Sequence, residues 1–112
     1  MAESALQRDC HLFMEKRGAY AINQWGTALS GSGVPDNIYC YRGYFLAFEF
    51  KVVSGKPREG ATVLNDLLAT KAQQMHLRNI RKAGGIAFVV TSLVSLENLL
   101  HAIDTEIIDG RC

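Results

Sequence analysis

The sequence predicts an α/β domain, a mixed sheet flanked by helices, with elements in the order α-β-β-β-α-β-α. Three observations carry this expectation. Apolar residues recur at three- and four-residue spacing in three separated segments, as amphipathic helices require. Two apolar runs meet at Arg42-Gly43, a two-residue link of the kind that closes a β-hairpin. Ile86 to Thr91 is an unbroken apolar run, as a buried strand requires.

Each element has its own signal. Ala2 to Arg17 reads as a helix through Leu6, Cys10, Phe13 and Met14, with Gly18 as its stop. Tyr20 to Trp25 is a short strand, and Gly26 to Gly33 a Gly/Ser-rich loop whose small side chains suit close approach to a ligand. Asp36 to Tyr41 and Tyr44 to Val53 form the hairpin. Ser54 to Gly60 is a basic loop. Helical spacing returns over Val63 to Ala83, with a candidate break near Thr70, and Gly84-Gly85 ends it. After the Ile86 strand, Ser95 is expected to cap a last helix carrying Leu96, Leu99, Leu100 and Ile103. Cys10 and Cys40 read as core fillers.

The 112 residues suit one domain, 1–112, with 48% hydrophobic and 21% charged residues arguing against disorder. A formal charge of +1 excludes a globally polycationic surface, so any nucleic-acid contact must use a local patch. No stretch reaches the roughly 18 apolar residues of a membrane span, and no signal-peptide pattern opens the chain. Three cysteines without CxxC spacing point to a reduced, cytoplasmic setting with neither a disulfide frame nor structural zinc.

The most informative stretch is the hairpin. Glu49 and Lys51 sit two residues apart inside an otherwise apolar strand, and Asp36 follows Gly33-Val34-Pro35. With Arg42-Gly43 as a two-residue turn, Tyr41 faces Tyr44, Cys40 faces Phe45, Ile38 faces Ala47 and Asp36 faces Glu49. Strand alternation puts Lys51 on the face of Glu49, while Phe48, Phe50 and Val52 point into the core. Two carboxylates about 5 Å apart repel by about 3 kcal/mol at an effective dielectric of 20. A hard divalent cation reverses that sign. Magnesium takes oxygen ligands, commonly one or two carboxylates with water and substrate phosphate, and the Phe50 carbonyl is a candidate backbone ligand. A plain cross-strand salt bridge would leave one of the two acids unpaired.

Pro35-Asp36 followed by Glu49-Phe50-Lys51 resembles the PD-(D/E)xK signature of metal-dependent nucleases, whose fold is the restriction-endonuclease-like α/β sandwich. Glu3 with Leu6-Gln7, Gly33-Val34-Pro35-Asp36, and Gln73 ahead of Ile80 to Gly85 extend the likeness to the VRR-NUC branch, particularly its small stand-alone members in phages and bacteria. The likeness spans about Glu3 to Leu100. It implies a nuclease using Mg2+ or Mn2+, with Asp36 and Glu49 as ligands, Lys51 as the catalytic lysine, Glu3 as a first-helix acid near the metal and Gln73 as the glutamine of the second helix. Glu3 shares a helical face with Leu6 and Cys10, and Gln73 shares one with Leu77 and Ile80. Two features depart from the pattern: Asn37 is polar where an aliphatic residue is usual, and Gly55 to Lys71 is long.

The expected function is hydrolysis of DNA phosphodiesters by a structure-selective endonuclease resembling Holliday-junction resolvases, acting as a homodimer because two strands need two sites. The alternatives are a less selective nicking, flap or duplex nuclease, and a silent nucleic-acid-binding module of the same fold. Lys56, Arg58, Lys71 and Arg78, with Arg81 and Lys82, are the candidate DNA contacts, each weighed against an ordinary solvated charge. His11 and His101 lack ligand spacing, and His76 reads as a surface residue.

Overall fold

The computed structural model describes residues 3–23, 33–35, 37–52 and 65–108. Its elements are α1 (Glu3–Lys16), β1 (Tyr20–Asn23), β2 (Asn37–Tyr41), β3 (Tyr44–Phe50), a 3₁₀ turn (Asn65–Leu68), α2 (Lys71–Lys82), β4 (Ile86–Val90) and α3 (Leu93–Ile108). The expected order is present. The four strands form one sheet in the order β1-β2-β3-β4, antiparallel across the first two pairings and parallel between β3 and β4.

The hairpin has the expected register. Tyr41 faces Tyr44, Cys40 faces Phe45 and Ile38 faces Ala47, with Asn37 opposite Phe48 as the last pair. Arg42 and Gly43 both have positive φ, 51° and 86°, which is the type I′ turn that matches the right-handed twist of paired strands. Gly43 meets this demand without strain, and Arg42 is the exception in the left-handed region.

Two helices end in the same hydrogen-bonded motif. At the end of α1, Gly18 N–H donates to Glu15 O and Ala19 N–H to Met14 O. At the end of α2, Gly84 N–H donates to Arg81 O and Gly85 N–H to Ile80 O. Both are Schellman closures, and each puts a glycine at the positive-φ position, 89° at Gly18 and 97° at Gly84.

Alternation along the strands divides the core in two. On one face Tyr39, Tyr41, Leu46, Phe48, Phe50 and Val90 pack against Leu6, Cys10 and Met14 of α1 and Leu96, Leu100 and Ile103 of α3. On the other, Ile38, Ala47, Ala87 and Val89 pack against Leu77 of α2 and Ala69. Among the described residues, α2 and the 3₁₀ turn cover the second face over β3 and β4. Tyr20 (73% exposed), Ile22, Cys40 and Phe45 stay at the surface on β1, β2 and the turn end of β3.

Several expectations need correction here. Cys10 fills the core, and burial pushes its thiol up to about 12, but Cys40 is exposed because no described helix covers its part of the sheet. Val52 lies beyond the end of β3 and is exposed rather than anchored. The helical pattern expected from Val63 begins outside the described residues, and its candidate break near Thr70 is present. A 3₁₀ turn precedes α2 and the break falls at Thr70, with Leu67 and Leu68 at the surface. The last helix starts earlier than expected and is capped by Ser92, whose Oγ accepts the Ser95 N–H at 3.2 Å.

Arg81 is the largest change of role. Its guanidinium donates to both oxygens of Asp66 at 2.8 and 2.9 Å, and its Nε donates to Ala87 O at 2.9 Å. It therefore clamps the 3₁₀ turn and β4 to α2 and is not a solvated DNA contact. The two bonds from Arg81 hold the Asp66 carboxyl below its ordinary 3.8, against an opposing effect of burial. A depressed carboxyl contributes stability that is present above its unfolded value and lost as pH falls through the folded one. Asp66→Asn is therefore expected to lower the urea midpoint at pH 7, and the gap to wild type should narrow below about pH 4. An unchanged gap at pH 3 would show that the clamp does not depend on the charge of Asp66.

Candidate active site

The site is built on the end of β3 away from the hairpin turn. Glu49 is the one charged residue among the buried side chains described, 7% exposed, on the face covered by α2. Its backbone partner on β4 is Val89, in the parallel pairing that continues with Lys51 N–H donating to Val90 O at 3.1 Å. This bond holds Lys51 in line one residue past the strand's end, and its side chain is half-buried.

A buried carboxylate needs hydrogen bonds, and α2 supplies one. Gln73 Nε2 donates to Glu49 Oε2 at 3.1 Å. Gln73 reaches the sheet because it shares a helical face with Leu77, which is fully buried against Ala47, Ala87 and Val89. Gln74 points elsewhere, donating to Ala69 O at 2.9 Å. Hydrogen bonds to charged groups contribute about 1.5–3 kcal/mol net, enough to orient a carboxylate.

The amide of Gln73 is itself oriented. Thr70 is the N-cap of α2, and its Oγ1 accepts the Gln73 N–H at 3.1 Å while Gln73 Oε1 accepts the Thr70 N–H at 2.9 Å. This reciprocal pair is a capping box. Its signal was present in the sequence as Thr70-Lys71-Ala72-Gln73, and reading Thr70 only as a break missed it.

The Gly26 to Gly33 loop was expected to suit close approach to a ligand, and its residues before Gly33 lie outside the described ones. Gly33 itself lies close to α2: a Cβ built on it would sit 2.7 Å from both Ala72 C and Gln73 N, and its φ is +80°. The segment Gly33-Val34-Pro35, which leads to Asp36, is thereby laid against the first turn of α2. Pro35 is buried.

The remaining expected site residues fall as follows. Asp36, Lys56 and Arg58 lie outside the described residues, and so does the expected pairing of Asp36 with Glu49. Asp36 immediately precedes Asn37, whose Cα partner Phe48 immediately precedes Glu49. Glu3 opens α1, but its side chain is outside the described residues, and α1 packs on the sheet face opposite to Glu49. Phe50 buries its ring in the main core. Lys71 and Arg78 are exposed on α2, seven residues apart and so on one stripe of the helix. Among the described residues no three His, Cys, Asp or Glu side chains converge as a metal cluster.

His11 is structural. Its Nδ1 is 3.1 Å from Tyr39 Oη and its Nε2 2.7 Å from a Glu15 oxygen. Asp104, which accepts from Tyr41 Oη at 2.6 Å and from Arg17 at 3.2 Å, ties α3 to β2 and to the residue that follows α1 on the main-core side of the sheet.

The sequence matches no family model and no curated protein. Solved structures do match. A VRR_NUC domain superposes with a TM-score of 0.65 at 23% identity, over 88% of this chain and 94% of its own. Hjc of Archaeoglobus fulgidus, a Holliday junction resolvase from an archaeal hyperthermophile, superposes with a TM-score of 0.54 at 23% identity, over 80% of this chain and 67% of its own. The fold is restriction-endonuclease-like. Both similarities span most of this chain. Among the described residues no helix is long and apolar enough to cross a membrane.

Proposed function

We propose that the protein is a divalent-metal-dependent DNA endonuclease that hydrolyses phosphodiesters and prefers branched DNA such as a four-way junction. The observation that carries this reading is the buried Glu49 carboxylate, oriented by Gln73 and followed two residues later by Lys51, in a fold shared with a VRR_NUC domain and a junction resolvase. A solvated surface pair would need neither the burial nor the orienting amide.

The donor chemistry suits Mg2+ or Mn2+: Glu49 and Asp36 as carboxylates and the Phe50 carbonyl as a backbone oxygen, with Glu3 as a further acid contributed by α1. Such an ion, when bound, supplies Lewis-acid polarisation of a phosphoryl oxygen and lowers the pKa of bound water. Lys51 carries the remaining chemistry, orienting the attacking water and stabilising negative charge as the phosphorus becomes five-coordinate. Lys71 and Arg78 on the outer stripe of α2, with Lys56 and Arg58, hold the DNA backbone in this reading. The protein acts in the cytoplasm of a bacterial or phage-infected cell.

Cutting both strands of a junction symmetrically needs two such sites, and so a homodimer.

The test is cleavage of a four-way junction, a flap and plain duplex by the purified protein, with Mg2+, Mn2+ or EDTA. Junction cleavage that requires metal is expected. Equal rates on junction and duplex would favour the less selective nuclease and end the resolvase reading. No cleavage of any substrate would leave the silent binding module.

A further inference from the structure

We infer that the first turn of α2 is a positioning device for the Glu49 carboxylate, in which Thr70 sets the orientation of the Gln73 amide and Gly33 leaves the space for it. Its catalytic consequence rests on the metal-nuclease reading above. The geometry does not.

A side-chain amide has an accepting end and a donating end, and Glu49 can use only the donating one. The capping box settles which end faces it. Gln73 Oε1 is occupied by the Thr70 N–H at 2.9 Å, and the Gln73 backbone is held by Thr70 Oγ1 at 3.1 Å. With both ends of that exchange made, the amide plane directs Nε2 to Glu49 Oε2 at 3.1 Å. If the amide rotated by half a turn, its oxygen would meet the carboxylate and both groups would repel. Thr70 therefore acts on Glu49 through Gln73 without touching it.

Gly33 contributes from the other side of the same turn. The 2.7 Å approach of a virtual Cβ to Ala72 C and Gln73 N leaves no room for a side chain, because both obstacles are backbone. Any L-residue there is also strained at a φ of +80°. A larger residue at 33 must push the first turn of α2 away, carrying the Gln73 amide with it. Thr70 and Gly33 thus couple the segment leading to Asp36 with the carboxylate on β3.

Three variants test this: Thr70→Ala, Thr70→Ser and Gly33→Ala. Two readouts are used, the exchange protection and chemical shifts of the Gln73 side-chain amide by NMR, and Mn2+ affinity by calorimetry. Partners that orient a metal ligand typically change affinity 10–100-fold. Thr70→Ala keeps the Thr70 N–H but removes the Oγ1 that holds the Gln73 backbone in place, and is expected to lower the protection of the Gln73 amide and weaken Mn2+ binding by about tenfold, the low end of that range. Thr70→Ser, which keeps the hydroxyl, should restore both, and Gly33→Ala should reproduce the Thr70→Ala pattern. A Thr70→Ala protein with a lower unfolding temperature but an unchanged Gln73 amide and Mn2+ affinity within twofold would overturn the inference, leaving Thr70 as an ordinary helix cap. Failure of the wild type to bind Mn2+ would overturn the metal reading alone. The Gln73 amide signals would then still decide the positioning claim, which falls if Thr70→Ala leaves them in place.

Discussion

Lys51→Ala is expected to slow DNA cleavage by about 10²–10³-fold while leaving the unfolding midpoint within error of wild type. The magnitude is that of removing one preorganised charge stabiliser from an active site, about 3–4 kcal/mol of transition-state free energy. The stability expectation comes from the structure. The Lys51 backbone, not its side chain, bonds to Val90 O, and the side chain is only half-buried at the strand's end. Single-turnover cleavage of a four-way junction at saturating Mg2+ measures the effect on the chemical step. Glu49→Gln separates the two roles, because it keeps the shape and an acceptor for Gln73 Nε2 but removes the charge. It should lose Mn2+ affinity, whereas Lys51→Ala should retain it. Cleavage by Lys51→Ala within about threefold of wild type would remove the lysine from the mechanism.

Phe48→Ala is expected to be the most damaging core substitution, costing about 3–5 kcal/mol. Phe48 is fully buried between Tyr39 and Phe50, with ring centroids 5.8 and 6.3 Å away. Its loss opens a void at the centre of the sheet, where α1 and α3 both pack. For a domain whose whole stability is of the order of 5–15 kcal/mol, this consumes a large fraction of the margin. Urea unfolding followed by circular dichroism would show it as a lower midpoint with a similar slope. Phe45→Ala is the control. Three residues away on the same strand but 45% exposed on the other face, it should change stability by about 1 kcal/mol or less. Equal effects at the two positions would mean that the two faces of β3 do not differ as described.

The hairpin was legible in the sequence because its determinants are local. Arg42-Gly43 supports two positive φ values in succession, and the alternation of Tyr44 to Phe50 assigns each side chain to a face once the turn is placed. The ends of α1 and α2 were legible for the same reason, each marked by a glycine at a left-handed position. Gln73 could be assigned over Gln74 because helical periodicity alone puts it beside Leu77 and Ile80, and the bond to Glu49 agrees.

The errors came where coverage by a distant element decides the outcome. Cys40 has the spacing of a core residue, yet α2 lies over β3 and β4 and leaves it at the surface. Arg81 looks like any basic residue of an amphipathic helix. Only the return of the 3₁₀ turn past α2 brings Asp66 within 2.8 Å of it. Nor does any local signal show that Gly33 lies against the backbone of Ala72 and Gln73, some forty positions along the chain.

By itself the sequence determined the order of elements, the hairpin register and the pairing of an acid with a lysine on one strand, because turn chemistry and periods of 2 and 3.6 residues act over a few positions. The tertiary structure alone decided that Glu49 is buried rather than solvated, which oxygen of it takes the Gln73 amide, and how Thr70 and Gly33 fix that amide from two sides. Those outcomes depend on where α2 comes to rest on the sheet. That position follows from packing Leu77 onto Ala47, Ala87 and Val89, contacts between residues that no local pattern links.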